Sequence, residues 1–140
     1  MAVIPAHSAL RVLQVGFTIV PIVMGLDKFF GVLARWPHYL APPISQALPV
    51  SPAAFMQGVG AVEILAGLTV AFYPIIGGWL VAVWLWAVVG NLLLGPGNYD
   101  IAIRDFGLSL GAVALARLAA ALAVPAHRGA FGVDERRPAA

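Results

Sequence analysis

Met24-Gly25-Leu26-Asp27-Lys28-Phe29-Phe30 places two opposite charges inside an otherwise apolar run, with Ile19, Val20, Ile22 and Val23 before it and Val32 and Leu33 after it. A charge at hydrocarbon depth costs about 2.5–3.5 kcal/mol on insertion scales, so it is rarely left without a partner. Three further apolar runs carry polar groups: Glu63 in the second, Asn91 near the end of the third, and Arg104-Asp105 opening the fourth. The expected fold is all-α: a polytopic membrane protein, an antiparallel four-transmembrane-helix bundle closed around that polar cluster.

Composition agrees. Of 140 residues, 61% are hydrophobic and 10% charged, against about 25% charged in soluble domains. Four spans of about 20 residues and their connections take up the chain, so a single transmembrane domain over 1–140 is expected. The net charge of +2 rests on too few groups to suggest a nucleic-acid partner. With no cysteine, the chain cannot itself form disulfides, thiolate metal sites, cysteine-ligated iron–sulfur clusters or a dithiol redox pair. No basic segment or small-residue cleavage site precedes the first apolar run, which reads as a retained span rather than a signal peptide.

The first span is expected over about 9–34, with Ser8 as N-cap. Arg11, Gln14, Thr18, Pro21, Gly25 and Lys28 recur at intervals of three and four and share one face. Residues 35–52 hold Pro37, Pro42, Pro43, Pro49 and Pro52, which exclude a continuous regular helix. Trp36 and Tyr39 favour the headgroup layer, so this segment is expected to lie flat at the membrane surface. The second span, about 53–73, carries Gly60, Glu63 and Gly67 on one face, where small residues admit a close neighbour. Tyr73-Pro74 leaves room for a tight turn only. The third span, about 75–94, carries Trp84 and Asn91 on one face and Trp79 and Trp86 on roughly the opposite one. Gly95-Pro96-Gly97-Asn98 ends it. The fourth, about 103–124, opens with Arg104-Asp105 and holds Gly107, Gly111 and Arg117. The segment 125–140, with His127, Arg128, Asp134, Glu135, Arg136 and Arg137, is expected as a surface tail.

Four spans place both termini on one side, with Arg11, Arg128, Arg136 and Arg137. Arg35 and Arg104 flank the other side. The positive-inside rule then favours cytoplasmic termini in a bacterial inner membrane. At 1.5 Å per residue, Lys28 is expected about 9 Å and Glu63 about 15 Å from the outer side, with Asn91 and Asp105 near the outer ends of their helices.

Gly25-Leu26-Asp27-Lys28-Phe29, Gly60-x-x-Glu63-x-x-x-Gly67 and Tyr99-Asp100-x-x-x-Arg104-Asp105 resemble the DoxX-like family of small four-span bacterial membrane proteins. The resemblance covers residues 9 to 122. It implies a subunit associated with quinone or redox assemblies, since some proteins of this kind are linked to thiosulfate:quinone oxidoreductase. The leading expectation is an accessory subunit, without its own redox centre, of a quinone-linked respiratory or photosynthetic electron-transfer complex. The alternative is a stand-alone membrane oxidoreductase component binding quinone or a small substrate in an outer-leaflet polar pocket. A small transporter is less favoured, because no broken-helix pair or inverted repeat is visible.

Two readings of the polar cluster Asp27, Lys28, Glu63, Asn91, Arg104 and Asp105 stay open. It is a structural network that sets helix register, or a pocket for a headgroup, a quinone or a proton. Arg11 and Arg117 have no acid in their half of the bundle, so they snorkel to lipid phosphate or meet an anionic lipid or a partner's acid. Trp79 and Trp86 form an outward stripe for lipid, a partner helix or a cofactor. No covalent cofactor is expected, and quinone is the candidate ligand. His7, His38 and His127 are too scattered for a bis-histidine haem or a zinc site, and no metal is expected.

Overall fold

The computed structural model describes residues 3–123. Its helices are α1 (Val3–Phe30), α2 (Pro42–Ala47), α3 (Pro52–Phe72), α4 (Pro74–Leu94) and α5 (Tyr99–Ala123), with a 3₁₀ turn at Trp36–Tyr39. Four of them, α1, α3, α4 and α5, are long and apolar enough to cross a membrane. The chain is a multi-pass membrane protein, a four-helix bundle.

Proline and glycine set the boundaries. Pro42, Pro52 and Pro74 each open a helix, where a missing N–H costs nothing. Ser51 Oγ accepts from Ala54 N at 3.2 Å and caps α3. The expected limits of the second and third spans hold to within a residue, and those of the outer two do not. Helix α1 begins at Val3, not near residue 9, because Pro5 falls in the first turn and is tolerated there; Ser8 is therefore inside the helix. It stops at Phe30, not 34, because Gly31 takes a φ of +64° and its N–H donates to Asp27 O at 2.6 Å, a left-handed C-terminal turn. Helix α5 begins at Tyr99, four residues early, with Asp100 in its first turn, where a negative charge suits the helix dipole. The expected tail 125–140 lies outside the described residues.

Neighbours in sequence are neighbours around the bundle: α1 packs on α3, α3 on α4, α4 on α5 and α5 back on α1. Backbones approach closely where glycines meet them. A Cβ on Gly25 would stand 2.5 Å from Gly60 O, and one on Gly60 2.5 Å from Gly25 O. Gly67 faces Thr18 and Ile22, Gly77 faces Val70, and Gly78 faces Ala112 and Ala116. The core of Ala66, Val70, Val81, Ala82, Ala112 and Leu115 is correspondingly small-chained. Lipid removes the hydrophobic drive between helices, so contact area at short range holds them together. Gly107 takes no part: only Gly111 of that pair meets a neighbour, Phe17.

These contacts also fix the helix levels. With Gly25 opposite Gly60 and Thr18 opposite Gly67, the end of α1 falls opposite residue 55 of α3, about 5 Å short of that helix's start. The segment 31–41 fills the step, burying Leu40 and Ala41 to 7% and 3% exposure. Its last two residues pack into the bundle, while most of those before them stay exposed. At the opposite end α1 and α5 run past the Tyr73–Pro74 turn, and His7, Tyr73 and Ala123 line one groove there. The two ends are called the loop end and the termini end below.

Candidate functional site

The polar centre forms where α1 stops short. Lys28 is two residues from the end of its helix, yet its side chain is only 4% exposed, because the 31–41 segment covers it. Its ammonium meets Glu63 Oε2 at 2.6 Å and lies 3.6 Å from the centroid of the Trp36 ring. An aromatic face is a favourable second contact for a desolvated cation. Val70 opposite Gly77 puts Trp84 of α4 level with Glu63 of α3. The Trp84 indole is close enough to interact with that carboxylate, but its Nε1 is buried without a hydrogen bond. Asp105 of α5 lies within electrostatic range of both Lys28 and Glu63. Each spanning helix thus supplies one residue to the centre: Lys28, Glu63, Trp84 and Asp105. Two acids face one base.

Asp27 is not part of this network, a correction to the expected cluster. Val32 and Leu33 N–H donate to its Oδ1 at 2.8 and 3.0 Å, Leu33 and Ala34 N–H to its Oδ2 at 3.0 and 3.3 Å, and Trp36 Nε1 to Oδ2 at 2.8 Å. The left-handed Gly31 turns the chain back so that successive N–H groups aim at one carboxylate. Asp27 organises the loop, and through the Trp36 indole it also places the ring over Lys28. Adjacent residues therefore do different work.

Asn91 leaves the cluster, and of its members Arg104 stays within electrostatic range of Asp105 only, at the cluster's outer edge. Asn91 Oδ1 accepts from Ala41 N at 2.9 Å and its Nδ2 donates to Tyr39 O at 2.7 Å, which clips the loop to α4. Arg104 meets Asp100 at 3.5 Å, one turn away on α5, with the two side chains 69% and 75% exposed. An exposed pair of that kind is worth about 0.5 kcal/mol or less. Because α5 begins at Tyr99, Asp100 lies one helical turn before Arg104 and can pair with it at the surface.

Arg11 and Arg117 are both exposed, and neither forms an ion pair among the described residues. The levels set by Gly78 and Ala112 place Arg117 near the Tyr73–Pro74 turn, at the termini end. Trp79 and Trp86 are 43% and 45% exposed on the outer side of α4. Trp86 nonetheless turns its Nε1 inward to Ser109 Oγ at 2.9 Å, and Ser109 donates on to Phe106 O at 2.6 Å.

Several residues make contacts not expected from the sequence. Gln14 Nε2 donates to Val70 O and Ala71 O at 3.2 and 3.0 Å, satisfying carbonyls that the end of α3 leaves open. Its place on the polar face of α1 was the available signal. The contacts of Trp36 with Asp27 and Lys28, and of Ser109 with Trp86, have no sequence signal, since they depend on a turn and on a neighbouring helix. Among the described residues, no three His, Cys, Asp or Glu side chains converge as a metal ion requires.

Fold and site together define a small four-span membrane bundle tied by a buried lysine–glutamate pair. No family model, curated protein or solved structure matches the chain.

Proposed function

We propose that the chain is an accessory integral-membrane subunit, without a redox centre of its own, of a quinone-linked respiratory or photosynthetic electron-transfer complex, as the DoxX-like resemblance implies. It resides in the bacterial inner membrane with cytoplasmic termini, where Arg11 lies on the side the positive-inside rule favours. Its partners are membrane lipids and other membrane subunits. The observation that supports this reading is the outer face of α4. Trp86 stands in mid-span at 45% exposure, whereas lipid-facing tryptophan prefers the interfaces. One turn on, Gly90 is exposed and a Cβ there would meet nothing within 4 Å. A bulky ring beside a bare glycine is a shape that a partner helix packs well. The polar centre, meanwhile, is largely occupied with holding helices. The test is purification of the native protein in mild detergent. Co-purification with haem- or flavin-bearing subunits is expected, and recovery of the chain alone under conditions that preserve known membrane complexes would sink the reading.

A second reading has one observation in its favour. Trp84 Nε1 is a buried donor that lies near the Glu63 carboxylate without completing a hydrogen bond, a suitable contact for a carbonyl oxygen. That is what a stand-alone component would need to bind quinone, or another small carbonyl substrate, beside the polar centre.

A further inference from the structure

At the loop end, the step between the end of α1 and the first two turns of α3 leaves an open groove of about 430 Å³. Its apolar wall is aromatic, formed by Phe29, Phe30 and Trp36, and its polar side is formed by Arg35, His38 and Gln57, with the Glu63-paired Lys28 at its inner edge. No acidic residue lines it. The nearest carboxylates are committed elsewhere, Asp27 to loop N–H groups and Trp36, and Glu63 to Lys28. Arg35 is exposed and forms no ion pair among the described residues. The groove therefore presents a guanidinium and an imidazole with no compensating charge.

We propose that this groove binds the headgroup of an anionic phospholipid, with the phosphate held by Arg35 and His38 and an acyl chain leaving along Phe30. Three features select a membrane lipid over a soluble anion. The groove borders the first two turns of α3, within about 9 Å of that helix's end, which is headgroup depth. Its aromatic wall runs directly into lipid-facing surface, where Phe29 and Phe30 are 47% and 75% exposed. Its charge complements phosphate, and a planar guanidinium matches phosphate oxygens in pairs. The site is independent of the α4 face on which the subunit role rests.

Native mass spectrometry of the full chain, released from nanodiscs of phosphatidylcholine doped with phosphatidylglycerol, tests this. One phosphatidylglycerol should remain bound in preference to phosphatidylcholine. Arg35→Gln should weaken that retention about fivefold, the effect of losing one basic contact near an anionic surface. Arg104→Gln is the control, because Arg104 is exposed at the same end but lies outside the groove. Equal loss for the two variants would mean general surface attraction and would overturn the site. So would undiminished retention in Arg35→Gln, or displacement of the lipid by millimolar inorganic phosphate, which would show that the groove reads a free anion. Unchanged melting of Arg35→Gln in pure phosphatidylcholine is expected, and it separates lost binding from lost folding.

Discussion

Lys28 Nζ and Glu63 Oε2 lie 2.6 Å apart, although Lys28 is in the last turn of its helix and Glu63 is at the middle of its own. The contact closes because α1 is displaced toward the termini end, and because a flexible lysine reaches inward from Gly60's level to Glu63, one turn deeper. Each charge removes the other's penalty for leaving water.

The pair should behave as a unit. Lys28→Met strands a buried carboxylate, and breaking pairs of this kind costs about 3–5 kcal/mol in soluble proteins. Glu63→Gln should be milder, because the amide oxygen still accepts from Lys28 and the Trp36 face remains. The double variant should recover part of the loss. Thermal melts in detergent decide it: equal melting for wild type and all three would remove the pair from its organising role.

Asp27→Ala should release the loop before it unfolds the bundle. Charge-assisted hydrogen bonds are worth about 1.5–3 kcal/mol each, and this carboxylate accepts from three backbone N–H groups and an indole. Hydrogen exchange should accelerate at 32–34 while the α3–α4 turn keeps its protection. Uniform acceleration over the whole chain would contradict a local role.

Glycine positions should divide sharply. Gly25→Ala and Gly60→Ala drive a methyl against a facing backbone oxygen and should each destabilise by about 1–3 kcal/mol. Gly16→Ala and Gly58→Ala meet nothing within 4 Å and should melt like wild type or slightly above it. A similar loss at all four positions would contradict close packing as the reason for Gly25 and Gly60, since helix propensity alone favours alanine at each.

Gly90→Leu tests the outer face of α4. The isolated bundle should melt within about 0.5 kcal/mol of wild type, as for a surface change away from structural features. Partner subunits should be lost from the mild-detergent preparation. If the variant keeps its partners, they dock elsewhere.

Gln46→Cys tests orientation against a background that contains no other cysteine. Gln46 is exposed in α2 at the loop end. With cytoplasmic termini it should react in intact cells with an impermeant thiol reagent supplied from the periplasm. Labelling only after lysis reverses the topology.

Sequence alone determined the number of spans, because hydrocarbon tolerates only long apolar helices and proline and glycine end them wherever they fall. It also put Lys28 and Glu63 on inward faces at neighbouring depths, since the cost of a lone buried charge leaves few arrangements. The division of the polar residues was decided by tertiary structure. Asp27 went to the loop because Gly31 adopts a left-handed turn one residue beyond Phe30, which aims three N–H groups at it. Asn91 became a clip because the step above α1 drew residues 39–41 against α4. Arg104 lies at the surface with Asp100, while Asp105, one residue on and about 100° around the helix, faces the centre because of the side on which α5 packs. Trp84 entered that centre through the level at which α4 packs on α3. Periodicity shows which residues share a face of one helix. Which faces meet, and at what height, follows from the glycine contacts that let backbones slide to a common register.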